Sequence, residues 1–254
     1  MNNNRTKKIL QKKYDNNGFV VIRNLLLKNE VKIIKKDLFQ YAEKQSKKLK
    51  GRDINFTNDG LVNSIHMMDN WKWTKKIQND VRLKSIAKLL LREKPANYGA
   101  ELFAKPPKTG RYVPIHQDNY YWAIEDANAL TFWISLDKSS KDNGGLFYFQ
   151  KSNQLGLLEH VASYAPGSSQ TLKYPKSMKY FKKVLPNLMP GDCLIHNVLT
   201  VHGSDKNTSN NSRLGWTIRY KSIKSKRDIL HEKRYLKELK MQTKSRNSKI
   251  IKNT

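Results

Sequence analysis

A histidine and an aspartate stand two residues apart in the segment from Tyr112 to Trp122, as His116-Gln117-Asp118. On an extended backbone alternate side chains lie on one face, so an imidazole and a carboxylate at this spacing can bind one metal ion together. The pair supplies only part of a metal site. Because a three-position pattern with a free centre often arises by chance, support must come from the rest of the chain.

His202 is the candidate for a third ligand. It stands in the sequence Val201-His202-Gly203-Ser204, at the end of a strand-like run, where antiparallel folding could bring it opposite the first two ligands. Non-haem Fe(II) oxygenases hold their ion with two histidines and one carboxylate, which leaves positions for a co-substrate and dioxygen. His196, six residues earlier, is the alternative ligand, and both histidines are also compatible with a structural role.

The composition predicts a globular protein with one main domain. The 254 residues are 38% hydrophobic and 10% aromatic, which is enough for a sizeable core. The net charge of +28 favours nucleic acid, an anionic membrane or acidic small molecules as partners. However, Lys, Asn and Ile are all abundant, as in proteins from AT-rich genomes, and the basic residues are not interleaved with aromatic residues as in a nucleic-acid module. We therefore expect no obligate nucleic-acid partner.

Cysteine usage and hydropathy predict a cytoplasmic location. Cys193 is the only cysteine, which excludes an intrachain disulfide and a multi-cysteine zinc site. The segment from Met1 to Asn17 lacks the apolar region of a signal peptide, and no stretch approaches the roughly 18 apolar residues that span a bilayer. These features predict an unprocessed, soluble protein with no transmembrane segment, and they leave its oligomeric state open.

The elements that must position the candidate ligands fall into two halves. The first half is predicted to hold a strand and two helices, and the second half holds short strands separated by turns. This order favours a mainly β domain with flanking helices, of the α+β class, built as a sandwich or barrel. The predicted helices cover residues 30–49, with Asn29 as the cap, and about 71–91, and the predicted strands cover 18–27, 96–105, 110–116, 129–137, 146–149, 193–196 and 215–220. Residues 51–70, with His66 as a candidate pocket residue, and 152–187 are predicted to be irregular.

Several ordered motifs between His116 and Tyr220 resemble those of the phytanoyl-CoA dioxygenase family of Fe(II)- and 2-oxoglutarate-dependent oxygenases. With the opening segment from Asn17 to Ile22, the resemblance covers about residues 14 to 222. It implies a double-stranded β-helix core, the jelly roll of cupin-like proteins, in a domain of residues 1–222 followed by a basic tail of residues 223–254. The motifs are His-x-Asp at 116–118, aromatic residues at 120–122, Leu-Asp at 136–137, Asn-Gly at 143–144, Gly-Asp at 191–192, His-Gly-Ser at 202–204, Asn-x-Ser at 207–209 and Arg213.

The resemblance also implies a role for each site residue. His116, Asp118 and His202 are expected to bind Fe(II), and Arg213, eleven residues past the last histidine, is expected to bind the distal carboxylate of 2-oxoglutarate. Ser204 can donate a further hydrogen bond to that carboxylate. Arg219 shares strand parity with Arg213 and is the alternative, although its spacing fits the family less well.

The implied reaction uses O2 to convert 2-oxoglutarate to succinate and CO2 while a small organic molecule is hydroxylated. Related halogenases replace the carboxylate ligand with a small residue, so Asp118 favours hydroxylation. Lys105, Tyr120 and Trp122, with Tyr121 between the last two, are candidates for the substrate pocket. The family's usual Pro-Gly-Ser-His is Gln150-Lys151-Ser152-Asn153 here, so the substrate of better-known members does not transfer.

The tail carries apolar residues that could form one face of a basic helix, namely Ile229, Leu230, Leu236 and Leu239. Docking on the domain or disorder is the favoured interpretation, and weak contact with an anionic surface is the alternative. Two alternative functions remain open: a catalytically idle relative that acts as a binding or regulatory module, and a polyanion-binding protein with strongly salt-dependent affinity.

Overall fold

The computed structural model describes residues 4–51, 53–165 and 168–251, with side chains described as far as Thr243. The helices are α1 (Asn4–Asn17), α2 (Lys28–Ser46), α3 (Lys72–Gln78), α4 (Val81–Leu91), α5 (Asn119–Trp122) and α6 (Ile229–Ile251), with short 3-10 helices at Ser152–Leu155 and Pro175–Tyr180. The strands are β1 (Phe19–Ile22), β2 (Ile54–Phe56), β3 (Val62–Ile65), β4 (Pro95–Lys105), β5 (Val113–His116), β6 (Ala129–Ser135), β7 (Leu146–Phe149), β8 (His160–Ala162), β9 (Gln170–Leu172), β10 (Lys183–Val184), β11 (Cys193–Asn197), β12 (His202–Ser204) and β13 (Arg213–Ser222).

Two antiparallel sheets enclose a cavity. The larger has seven strands in the order β1-β11-β6-β13-β4-β3-β2, and the smaller has four in the order β10-β7-β12-β5. Residues of β6, β11 and β13 from one sheet and of β5, β7 and β12 from the other line the same cavity. The strands β8 and β9 form a separate hairpin. This arrangement is the predicted double-stranded β-helix with flanking helices.

The main hydrophobic core lies on the other face of the seven-stranded sheet, where helices α2, α3 and α4 contribute buried residues. Because side chains alternate along a strand, Thr217 and Arg219 face the cavity while their neighbours on β13 face the helices. The same alternation on β6 places Phe132 in the core and Trp133 in the cavity lining. Every residue of β6 is buried, since the second sheet covers the face that a single-layer sheet would expose. The core residues of β13 are Leu214, Trp216, Ile218 and Tyr220.

Four local predictions differ from the structure. The helix predicted over 71–91 is two helices, because Asp80 accepts a hydrogen bond from the Arg82 backbone N–H at 2.8 Å and so starts α4. Asn29 is not a cap: α2 begins at Lys28, and the Glu30 carboxylate accepts the Leu27 N–H at 2.8 Å. The two regions predicted to be irregular contain short strands, β2 and β3 in one and β8, β9 and β10 in the other.

The predicted tail helix is present as α6, and it packs against α5 and β8. Its inner face is buried through Tyr235, Leu239 and Gln242, so the predicted apolar face was wrong except at Leu239: Ile229, Leu230 and Leu236 are exposed. Within the described ranges, no helix has the length and apolar character that crossing a membrane requires.

Candidate active site

The three predicted metal ligands come together at the end of the smaller sheet. His116 ends β5 and lies directly opposite His202 of β12, while Asp118 stands just before α5. Asp118 Oδ1 is 3.6 Å from His116 Nε2 and 3.7 Å from His202 Nε2. One donor atom from each residue lies within 4.8 Å of the other two. Residues far apart in the chain thus form one cluster that could hold a metal ion.

Backbone carbonyls fix the orientation of both histidine rings. His116 Nδ1 lies 2.8 Å from the Pro114 carbonyl oxygen, and His202 Nδ1 lies 2.9 Å from that of Thr200. A carbonyl oxygen only accepts, so each Nδ1 must carry the proton. In the neutral ring this leaves the lone pair on Nε2, the atom that faces Asp118 and is available to a metal.

The second oxygen of Asp118 is held by the protein. Thr131 donates its hydroxyl to Asp118 Oδ2 at 2.8 Å, and His196 Nε2 lies 3.0 Å from the same oxygen. The other ring nitrogen of His196 is 3.1 Å from the Tyr148 hydroxyl. His196, the alternative third ligand, therefore supports Asp118 from behind, and His202 completes the cluster.

Burial and mutual contacts set the protonation of these groups. Burial raises the pKa of Asp118, but the hydrogen bonds with His116 and His196 outweigh it and hold this pKa well below its usual range. Burial, followed by repulsion from His116, holds the pKa of His202 well below its usual value. The carboxylate is therefore ionised and His202 neutral at physiological pH, which are the forms that bind a cation.

Arg213 lies in the same cavity and has no carboxylate partner. It is 1% exposed, and its Nη1 donates to the Phe103 carbonyl oxygen at 3.1 Å. Among the described residues no Asp or Glu forms an ion pair with it, and burial lowers its pKa to about 9. The Ser204 hydroxyl, also in this cavity, is buried without a hydrogen-bond partner in the described part of the chain.

Trp133 forms the wall beside Arg213, with its ring 5.3 Å from the guanidinium carbon. The ring lies directly over Gly215, where an added Cβ would meet it at 1.9 Å. Only a glycine at position 215 leaves room for the Trp133 ring between Arg213 and Thr217, the inward-facing residues on either side of it. The strand is thus shaped to let a flat aromatic ring shield the guanidinium.

The cavity has a volume of about 580 Å³, and two of the predicted pocket residues do not line it. Trp122 and its neighbour Tyr121 line the cavity. Tyr120 instead donates its hydroxyl to Glu238 of α6 at 3.0 Å. Lys105 turns its amine to the Asp205 carbonyl oxygen, and burial followed by repulsion from Arg213 lowers its pKa to about 6.

The cavity lining also contains residues that sequence patterns did not single out. Glu101 of β4 is one, and the alternative clamp Arg219 and the candidate pocket residue His66 lie beside it. An acidic residue inside the otherwise apolar run of β4 is the only local signal for Glu101. The inner face of α6 adds Tyr235 and Leu239.

The fold and the site define a class: a double-stranded β-helix in which two histidines and one aspartate converge in the same cavity as a buried arginine without a described carboxylate partner. The family model "Phytanoyl-CoA dioxygenase (PhyH)" matches residues 14–215. The chain belongs to this family, as its motifs predicted.

Two curated relatives illustrate the sequence distance. The chain is 24% identical over 224 residues to the peroxisomal phytanoyl-CoA dioxygenase of Bos taurus, covering 80% of this chain and 65% of the relative. It therefore spans slightly less than two thirds of the bovine protein. It is 22% identical to the phytanoyl-CoA dioxygenase domain-containing protein 1 homolog of Caenorhabditis elegans, covering 82% of this chain and 88% of that protein.

Solved structures share the fold at lower identity. EctD from S. alaskensis, solved with 2-oxoglutarate and 5-hydroxyectoine, superposes with a TM-score of 0.73 at 19% identity, covering 89% of this chain and 78% of EctD. The epimerase SnoN, solved with Fe3+, alpha ketoglutarate and nogalamycin RO, gives a TM-score of 0.71 at 17% identity, covering 89% of this chain and 87% of SnoN. These likenesses confirm the predicted jelly-roll fold.

Proposed function

We propose that this chain is an Fe(II)- and 2-oxoglutarate-dependent oxygenase that hydroxylates a small organic molecule. The observation that carries the proposal is the presence, in one cavity, of a cluster of two imidazoles and one carboxylate and of a buried arginine that no described carboxylate pairs with. Two histidines and one carboxylate are the donor set of non-haem Fe(II) oxygenases. An unpaired buried guanidinium fits the distal carboxylate of 2-oxoglutarate, because a buried charge is costly unless it is paired.

The residues present fit both groups. His116, Asp118 and His202 would hold Fe(II), with the carboxylate offsetting part of its charge. Arg213 and Ser204 would receive the co-substrate carboxylate with donors that no described residue uses. When bound, Fe(II) supplies the redox chemistry with O2 that couples decarboxylation of 2-oxoglutarate to succinate and CO2 with oxidation of the substrate.

The protein contributes orientation and exclusion of water. Carbonyl contacts at Nδ1 of both histidines and the support of Asp118 by Thr131 and His196 keep the ligand atoms pointing at one place. Hydroxylation is the proposed outcome because the carboxylate ligand is retained. The same complete ligand set argues against a catalytically idle relative.

The proposed domain organisation assigns residues 1–222 to the catalytic domain and gives the tail a structural part in it. Tyr235 and Leu239 of α6 line the cavity and are buried. The tail helix therefore forms part of the wall that a small-molecule substrate would meet. A cytoplasmic location remains a prediction from the sequence.

The test is release of succinate from 2-oxoglutarate by purified protein with Fe(II) and O2, measured across a library of small metabolites. His116→Ala should lower substrate-triggered succinate by more than about 100-fold, since loss of a ligand exceeds the roughly 10- to 100-fold cost of losing a group that supports one. His231→Ala is the matched control, because His231 contacts the Tyr120 carbonyl oxygen outside the cavity lining. Wild-type protein that neither binds Fe(II) nor releases succinate with any compound would contradict the proposal.

A further inference from the structure

A connected group of polar side chains lines one side of the cavity, away from Arg213. At its centre Glu101 Oε1 lies 2.9 Å from His66 Nδ1 and 3.2 Å from Arg219 Nη1. The other ring nitrogen of His66 is 3.3 Å from Asn55 Nδ2 and 3.2 Å from Ser64 Oγ. All five residues line the cavity. We call Glu101, His66 and Arg219 the Glu101 cluster.

The contacts that Glu101 makes with His66 and Arg219 use one carboxylate oxygen, Oε1, as their nearest atom. Within the described chain no residue donates a hydrogen bond to Oε2, and this oxygen is not among the fully buried atoms that lack a partner. Since the Glu101 side chain is 18% exposed, Oε2 can accept a hydrogen bond from a molecule that fills the cavity.

The backbone is shaped to place Arg219 beside Glu101. Gly99 has a φ of +116°, and a Cβ there would lie 2.6 Å from Arg219 Nη2. The register between β13 and β4 also shifts between Arg219 and Tyr220, which marks a bulge. A glycine and a bulge at this point let the guanidinium lie across β4, so the ion pair is part of the fold rather than a chance surface contact.

The charge of Glu101 is already balanced. Burial raises the pKa of Glu101, but Arg219 and then His66 outweigh it and lower this pKa to about 2. The carboxylate is therefore ionised at neutral pH and does not require a cation from the ligand. It does require a donor, because an ionised oxygen without a hydrogen bond is unfavourable once water is excluded.

Aromatic and apolar side chains also line the cavity, and one of them lies beside the Glu101 cluster. They include Tyr121 and Trp122 of α5 and Tyr235 and Leu239 of α6, and the guanidinium carbon of Arg219 lies 5.3 Å from the Trp122 ring. A ligand in this cavity would therefore meet both a hydrogen-bond acceptor and aromatic rings.

We propose that Glu101, held by His66 and Arg219, selects the substrate of the oxygenase, a small molecule that presents a hydroxyl or amine group to Glu101 Oε2 from an otherwise apolar frame. This inference rests on the proposed function and names its substrate class. A plain acyl chain would leave Oε2 without a donor. Sites that hydrogen-bond a substrate hydroxyl or amine reject the analogue that lacks it by factors that reach about 10⁴.

The experiment compares three fragments of similar shape, benzylamine, benzyl alcohol and toluene, by ligand-observed NMR on protein loaded with Zn(II) and 2-oxoglutarate. Glu101→Gln should weaken benzylamine about tenfold and benzyl alcohol by a smaller factor, while toluene binding stays unchanged. Glu125→Gln is the matched control, because Glu125 is exposed and outside the cavity lining. Equal effects on all three fragments, no effect on benzylamine, or no binding of benzylamine to the wild type would each overturn the inference.

A second variant keeps the test decisive if Glu101→Gln does not fold. His66→Asn retains the carboxylate and removes one of the two groups that hold it, so benzylamine affinity should fall about threefold. Affinity for 2-oxoglutarate, measured on the same samples, should stay unchanged in both variants. Unchanged benzylamine binding in the folded variants overturns the substrate assignment alone, whereas intact benzylamine binding without succinate release by the wild type overturns the oxygenase proposal alone.

Discussion

Two arginines on β13, Arg213 and Arg219, face the same cavity but have opposite surroundings. Arg213 is 1% exposed, and no described carboxylate pairs with it. The Arg219 side chain is 16% exposed and forms an ion pair with Glu101 at 3.2 Å. Although both arginines lie on the same face of one strand, Arg219 has a carboxylate partner and Arg213 has none among the described residues.

This difference suggests separate tasks for the two cations. Burying a charge without a partner is unfavourable, so an unpaired guanidinium indicates an anion that comes from outside the chain. A paired guanidinium instead fixes the position of its carboxylate. The surroundings therefore favour Arg213 over Arg219 as the clamp for 2-oxoglutarate, and they give Arg219 a role in placing Glu101.

The largest expected effect is on the affinity for 2-oxoglutarate, which should depend on Arg213 much more than on Arg219. Arg213→Leu should raise the dissociation constant of 2-oxoglutarate about 100-fold, because it removes a buried, charge-assisted contact to the ligand. Arg219→Leu should change it less than about threefold. Calorimetric titration of Fe(II)-loaded protein under nitrogen measures both constants. A larger loss in Arg219→Leu would reverse the assignment.

The stability of the protein without ligands should be affected in the opposite order: Arg219→Leu should be more destabilising than Arg213→Leu. Arg219→Leu leaves the half-buried Glu101 carboxylate with His66 alone, which should lower the free energy of unfolding by about 1–3 kcal/mol. Arg213→Leu removes a cation that no described carboxylate pairs with in the apo protein, so it should lower this free energy by less than about 1 kcal/mol, or raise it. Urea unfolding without iron and 2-oxoglutarate checks the order. Equal destabilisation would show that Arg213 has a carboxylate partner after all.

Sequence reasoning found the part of the site that local motifs encode. His116 and Asp118 stand two residues apart at the end of one strand. His202 and Arg213 stand eleven residues apart, on consecutive strands. A pattern of residue types at fixed spacing therefore suffices to predict these four residues. The Glu101 cluster has no such pattern, because Glu101 lies on β4, Arg219 on β13 and His66 just after β3, and they meet only through strand pairing. This second site depends on the order of the strands in the sheet, which local sequence motifs do not reveal.

Long-range packing also decides which single side chains reach the cavity, and local sequence patterns do not reveal it. Apolar periodicity predicted α6, but only its packing on α5 shows that Tyr235 and Leu239 reach the cavity. Lys105 lies opposite Arg213 on the paired strands, yet the nearby Asp205 carbonyl oxygen takes its amine. Side-chain direction at a strand end depends on loops from elsewhere in the chain, which neither spacing nor hydropathy fixes.

The smallest expected effect is a pH dependence that belongs to the paired arginine alone. Burial raises the pKa of Glu101, but Arg219 and His66 together outweigh it and lower this pKa from 4.5 to about 2 in the folded protein. A lowered folded-state pKa adds stability above the unfolded value, and that stability is lost as the pH falls toward the folded value.

The stability difference between the wild type and Arg219→Leu should therefore shrink between about pH 6 and about pH 3, by about 1 kcal/mol, because the variant has lost the contact that lowers this pKa. Arg213→Leu is the matched control, and its difference from the wild type should stay constant through the range in which Glu101 titrates. Urea unfolding of the apo proteins at both pH values measures the change. A constant difference for Arg219→Leu would mean that His66 alone, rather than the ion pair, keeps Glu101 ionised.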